Sequence, residues 1–191
     1  MKTAIFGGTF DPIHWAHVHI ARAAADTFSL DRVLFIPAAN PPHKEAGASY
    51  EDRYRMVELA CASDPRFVPS RLEEGREKSY SIHTIERVKA QPHVGELFFI
   101  IGSDAFAEIR SWHRWEDVVR ETDFIVVSRP GHTYSIPPGA RVHRLETVAL
   151  PVSSSEARHA LARGENPYEL PPSVAEYIRR HRLYGPNGIT S

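Results

Sequence analysis

Cysteine is almost missing from this chain: Cys61 is the only one in 191 residues. That excludes an internal disulfide and a cysteine cage for zinc. An excess of charge is missing too. Lys and Arg number 23 against 24 Asp and Glu, a formal net charge of −1. Nothing here points to a nucleic-acid partner, which would need many phosphate contacts from cations. Long apolar runs are absent, and the longest, such as LFFII at 97–101, are of strand length. A membrane span needs about 20 such residues, so no membrane partner is expected. Gly7, Gly8 and Asp11 break the short apolar run after Lys2, so no signal peptide is expected either. Two nucleotide fingerprints are lacking, G-x-G-x-x-G and G-x-x-x-x-G-K-[ST], which argues against a dinucleotide dehydrogenase and a P-loop enzyme. A cytoplasmic protein is the expectation, with local basic clusters able to hold a small phosphorylated ligand.

What is present suits one domain. Hydrophobic residues make up 42% of the chain, enough for a sizeable core. The domain is expected to run over 1–185, with 186–191 (PNGITS) as a mobile tail. Continuous apolar blocks at 2–7, 32–36, 97–101 and 124–127 read as buried strands, with weaker candidates at 66–72 and 141–149. Helical periodicity predicts helices over 14–28, with His17, Ile20, Ala24 and Phe28 on one face, and from Tyr50 to Cys61 behind a Ser49 cap. Further helices are expected near 81–91, 113–121, 154–163 and 173–182. Strands alternating with helices imply an α/β fold, a doubly wound Rossmann-like parallel sheet with helices on both faces. Two proline-rich loops, 37–47 and 129–140, are long enough to be functional.

The first strand-to-helix crossing, AIFGGTFDPIHWAHVHI at 4–20, carries the chemistry. Two glycines let backbone approach a ligand, and the helix N-terminus behind them favours an anion through its free N–H groups and dipole. His14 and His17, three apart, share a face and can point together at that anion. A metal pair is one alternative, although no third ligand stands at suitable spacing. Surface decoration is another. His19 is expected on a different face.

GGTFDPIHWAH resembles the opening motif of the nucleotidyltransferase superfamily, G-G-x-F-D-P-x-H-x-G-H, and is most similar to that of the bacterial nicotinate-nucleotide adenylyltransferases. The resemblance runs in order through PPHK (41–44), SYSIHTI (79–85), IGSDAFAEIRSWHRW (101–115), VVSRPG (126–131), VSSSEARHALARGE (152–165) and YELPPSVAEYIRRHRLYG (168–185). It implies a fold of the nucleotidyltransferase type. It also implies transfer of AMP from ATP to the phosphate of nicotinate mononucleotide, by direct in-line attack, giving deamido-NAD and pyrophosphate. Mg²⁺ would accompany ATP as cofactor, with no protein metal cage. The oligomeric state stays open, a homodimer included.

The resemblance implies catalytic roles for His14, His17, Lys44 and Arg158, with His17 on the α-phosphate and Arg158 on the β- and γ-phosphates. ATP would be bound by Gly7, Gly8, Thr9, Phe10, Gly102, Asp104, Ser153, Ser154 and Ser155, with Asp104 on a ribose. Nicotinate mononucleotide would meet Ser81, Trp112, His113 and Arg129, with Trp112 stacked on the pyridine ring. Several of these residues have plainer alternatives. Lys44 could be solvated, Asp104 a helix cap, Trp112 part of the core, and Ser153 with Glu156 a capping box.

Two departures stand out. Ala16 replaces the motif glycine between the histidines, and His83 stands where an acidic residue is expected. Three rival readings remain open: a nicotinamide-mononucleotide enzyme, a phosphopantetheine adenylyltransferase, and a nucleotide sensor without turnover. His14 and Trp112 argue against the second, and the assembled His14, His17, Lys44 and Arg158 against the third.

Overall fold

Six parallel strands form one sheet in the order β3-β2-β1-β4-β5-β6. They are β1 (Lys2–Gly8), β2 (Arg32–Pro37), β3 (Phe67–Pro69), β4 (Glu96–Gly102), β5 (Asp123–Ser128) and β6 (Val142–Glu146). The computed structural model describes residues 1–40, 47–147 and 152–185. The expected Lys44 and the 186–191 tail lie outside the described residues, as do 148 and 149 of the last strand candidate.

The near-continuous apolar character of the strands follows from a sheet covered twice. Ala4, Phe6, Val33, Phe35, Phe98, Ile100 and Ile125 pack into one core layer. Their chain neighbours Ile5, Leu34, Ile36, Phe99, Ile101, Phe124 and Val126 pack into the other. Successive side chains point to opposite faces, so both parities must be apolar. The first layer is closed by α1 (Trp15–Phe28), α2 (Tyr50–Cys61), α6 (Ser154–Ala162) and α7 (Pro172–His181). The second is closed by α3 (Ser81–Lys89), α4 (Ser103–Ala107) and α5 (Trp115–Glu121). This is the doubly wound arrangement expected from the sequence.

Three details differ from the sequence reading. Helix α1 buries Val18, Ala21, Ala24 and Ala25, whereas Ile20 and Phe28 are only partly buried. Helix α4 and the 3₁₀ turn Ile109–Ser111 were not expected; five and three residues are too short to display a hydrophobic period. The third strand is only Phe67–Pro69, at an edge where a proline that cannot donate is tolerated.

In such a sheet the winding reverses between β1 and β4, and ligands bind beyond the carboxyl ends of the strands there. Those ends are Gly8 and Gly102.

Candidate active site

The loop leaving β1 is held from several sides. Phe10 has φ 51°, a left-handed conformation that a bulky residue rarely adopts. The residue is 2% exposed, and its ring meets Phe6 edge-on at 5.8 Å. Arg53, buried to 1%, reaches up from α2 and donates to the carbonyls of Thr9 at 2.9 Å, Ala38 at 2.7 Å and Ala48 at 3.3 Å. One guanidinium thereby ties the β1 loop to the chain on both sides of residues 41–46. The Asp11 carboxylate accepts from Gly47 N at 2.6 Å, Ala48 N at 3.1 Å and the Tyr184 hydroxyl. Burial and Asp11 together push the Tyr184 phenol far up, so it stays a donor.

His14 is the N-cap of α1, not its first residue, with extended backbone (φ −141°, ψ 177°). Its Nδ1 accepts from Ala16 N at 3.2 Å, and its own N–H donates to Nδ1 of His17 at 3.1 Å. The two rings stack, centroids 3.8 Å apart and planes 24° from parallel. The edge of Phe10, 5.0 Å from His17 at 80°, supports the far ring. Burial lowers the His14 pKa to about 4. Burial first, and then His14, hold His17 well below the usual imidazole range. Both rings are therefore neutral at pH 7. Because each Nδ1 accepts a backbone N–H, each proton must sit on Nε2. The pair is thus two fixed N–H donors, and neither Nε2 has a protein partner among the described residues.

Two cavities flank the switch point. One, of about 310 Å³, is lined by Gly7, Gly8, Ser81, Gly102 and Trp112 among others. The second, of about 350 Å³, is lined by His14, Ala16, His17, Gly102, Asp104 and Arg129 among others. Gly102 belongs to both, and a Cβ built there would meet nothing within 4 Å. A larger open groove of about 990 Å³ lies along α7. It holds none of the residues the resemblance singled out.

Helix α6 carries the remaining residues. Ser153 caps it by accepting from Glu156 N at 3.1 Å. Arg158 donates one N–H to the carbonyl of Asp11 at 2.8 Å, which holds its guanidinium beside the loop leading to His14. Ser154 differs from expectation: its hydroxyl donates to Pro12 O at 2.9 Å, so that hydrogen is not available to a phosphate. Ser155 is exposed.

Four other placements depart from the sequence reading. The Phe10 side chain is core, so only its backbone can face a nucleotide. Gly7 and Gly8, expected on the ATP side, line the Trp112 cavity, and Arg129, expected on the nicotinate side, lines the histidine cavity. His113 is exposed and lies over Tyr80, centroids 4.4 Å apart, rather than in the Trp112 cavity. His83, unexplained by sequence, meets the Tyr80 ring edge-on at 5.8 Å and 79°. Lining residues that sequence reasoning missed are Ser103, Thr147, Val152 and His19 on the histidine side. His19 is two residues from His17, and its helical angle gave no hint that it borders the same cavity.

The cytidylyltransferase-like family model matches residues 5–160. A "probable nicotinate-nucleotide adenylyltransferase" of Solibacter usitatus is 60% identical over 188 residues, covering 96% of this chain and all of its own length. One of Pelobacter propionicus is 41% identical, covering 96% of this chain and 98% of its own. The chain belongs to the nicotinate-nucleotide adenylyltransferase family. The fold agrees with that of the Plasmodium falciparum nicotinic acid mononucleotide adenylyltransferase solved with NaAD: the TM-score is 0.79 at 22% identity, covering 96% of this chain and 98% of that one. The glycine-histidine crossing lines both cavities, with Gly7 and Gly8 on one and His14 and His17 on the other. Among the described residues no helix is long and apolar enough to cross a membrane, and no group of three His, Cys, Asp or Glu could hold a metal.

Proposed function

We propose that this enzyme transfers AMP from ATP to nicotinate mononucleotide, releasing pyrophosphate and forming deamido-NAD. The observation that carries the reading is the meeting of two cavities at Gly102, one walled by His14 and His17 and the other by Ser81 and Trp112. The names of relatives at 60% and 41% identity support the same activity.

The substrate's own phosphate is the nucleophile, so the protein supplies alignment and charge stabilisation rather than a base. A phosphate oxygen of the mononucleotide bonds to the α-phosphorus of ATP as the bond to pyrophosphate breaks. His17 Nε2–H steadies the α-phosphate oxygens, and His14 donates beside it. Arg158 keeps donors beyond the one given to Asp11 and takes the β- and γ-phosphates. Lys44 is a further cation assigned to the triphosphate. Ser153 and Ser155 border the phosphates at the start of α6, where the helix dipole adds to the attraction. Asp104, fully exposed in the histidine cavity, accepts from the adenosine ribose, and Arg129 borders ATP.

Trp112 stacks on the pyridine ring. Ser81 is the first residue of α3, whose leading N–H groups lack intrahelical partners by geometry and suit a carboxylate. Mg²⁺ is the ion that accompanies the triphosphate, whose phosphate oxygens are the hard donors it prefers. When bound it neutralises charge on the departing pyrophosphate. The catalytic domain is 1–185. An ATP-consuming reaction and a free, buried Cys61 support a cytoplasmic setting, and sedimentation decides between monomer and homodimer.

The test is pyrophosphate release from ATP and Mg²⁺ with each mononucleotide. Nicotinate mononucleotide should exceed the amide in kcat/KM by at least tenfold, because the amide NH₂ would face donors. Equal values, or a preference for the amide, would overturn the substrate assignment.

A further inference from the structure

Glu73 is 4% exposed and lines the Trp112 cavity. One carboxylate oxygen, Oε1, accepts the Thr84 hydroxyl. The other, Oε2, is buried with no hydrogen-bond partner among the described residues, and so is the hydroxyl of Ser79, a residue that also lines that cavity. Among the described residues no Lys, Arg or His forms an ion pair with Glu73. A buried carboxylate oxygen without a donor is costly. Glu73 thus stands at the wall of the cavity with one carboxylate oxygen unpaired among the described residues.

The chemistry of the occupant narrows what can pair with that oxygen. The reasoning rests on the proposed substrate. In nicotinate mononucleotide the ring carboxylate and the phosphate are acceptors, and only the ribose hydroxyls donate. Setting Glu73 against the ring carboxylate would oppose two anions. An amide in that place could donate to Glu73, which would favour the wrong substrate.

We propose that Glu73 Oε2 accepts a hydrogen bond from a ribose hydroxyl of the pyridine mononucleotide, with the Ser79 hydroxyl beside it as the second polar contact to that sugar. Thr84 fixes the carboxylate through Oε1, so Glu73 is a substrate-positioning residue that touches neither ATP nor the pyridine ring.

Calorimetric binding with nicotinate mononucleotide, its 2′-deoxy and 3′-deoxy analogues, and nicotinamide mononucleotide tests this on the unaltered protein and on Glu73→Gln. One deoxy analogue should bind the unaltered protein roughly 10–100-fold more weakly than the parent, the range for a hydrogen bond to a charged group. In Glu73→Gln, which can keep the Thr84 bond, the parent should weaken by about tenfold and the analogue much less, bringing the two together. The acid-to-amide ratio should stay unchanged, as should the KM for ATP. Deoxy analogues that bind the unaltered protein as tightly as the parent would overturn the proposal without any variant. A Glu73→Gln change that shifts the acid-to-amide ratio tenfold would put Glu73 at the ring substituent and overturn it too. Normal turnover of the parent alongside either result would leave adenylyl transfer standing. Absence of binding by any mononucleotide would end both readings.

Discussion

His14 and His17 hold each other in one protonation state. The N–H of His14 donates to Nδ1 of His17, the Nδ1 of His14 accepts from Ala16, and the rings stack at 3.8 Å. The backbone of α1 thus selects the tautomer in which both Nε2 atoms carry the proton.

One consequence is that neither ring exchanges its proton near neutral pH. With the His14 pKa at about 4 and that of His17 also lowered, both rings stay neutral in the free enzyme from pH 8 to below 6. The kcat/KM for ATP should show no acid limb near 6.5 from this pair. Stability carries the matching sign. An unfolded histidine titrates near 6.5 and binds protons that the folded one refuses, so this contribution is full above about 6.5 and is lost as pH falls toward about 4. A pH-rate profile and thermal melts read both; a limb near 6.5 that disappears in His14→Ala would contradict the neutral pair.

Gly102 should matter to ligands and not to folding. Its φ of −70° suits any residue, and a Cβ there meets only open space. Gly102→Ala should leave stability within about 0.5 kcal/mol, as for substitutions away from packed features, while its methyl enters the space where the cavities meet. Steady-state kinetics should show kcat/KM lowered for both substrates. Unchanged kinetics would mean that neither substrate passes close to this backbone.

Arg53 should be a stability residue with a catalytic shadow. Lysine cannot reproduce a planar fork that serves Thr9, Ala38 and Ala48 at once. Arg53→Lys should cost about 2–4 kcal/mol, from two or more buried carbonyls left without donors. Denaturant melts would measure it. A loss under 1 kcal/mol would show that water replaces the guanidinium.

Arg158→Lys addresses the triphosphate. A lysine lacks the fork that serves the Asp11 carbonyl and phosphate oxygens together. The KM for ATP should rise by about tenfold or more and that for the mononucleotide stay nearly constant; equal effects on both would place Arg158 elsewhere in the complex.

The sheet was legible because its strands had to be apolar on both parities, and the histidine crossing because GGTFDPIHWAH resembles a known family motif. Less legible were features made by distant chain. The link from Arg53 to Thr9 spans 44 residues and that from Arg158 to Asp11 spans 147, and neither leaves a periodic trace. Ser154 was expected on phosphate, and only the approach of Pro12 shows where its hydrogen goes. The assignment of Gly7, Gly8 and Arg129 to one cavity or the other depends on which side of Gly102 each loop crosses, which motif spacing does not encode.

The role proposed for neutral His17 is that of a fixed donor to the α-phosphate in the transition state. It is tested most directly by the kcat of His17→Ala with saturating ATP, Mg²⁺ and nicotinate mononucleotide. Loss of one preorganised donor predicts a kcat lower by roughly 10²–10³-fold, with far smaller changes in the binding of either substrate. A kcat within a few-fold of the unaltered enzyme would contradict the account.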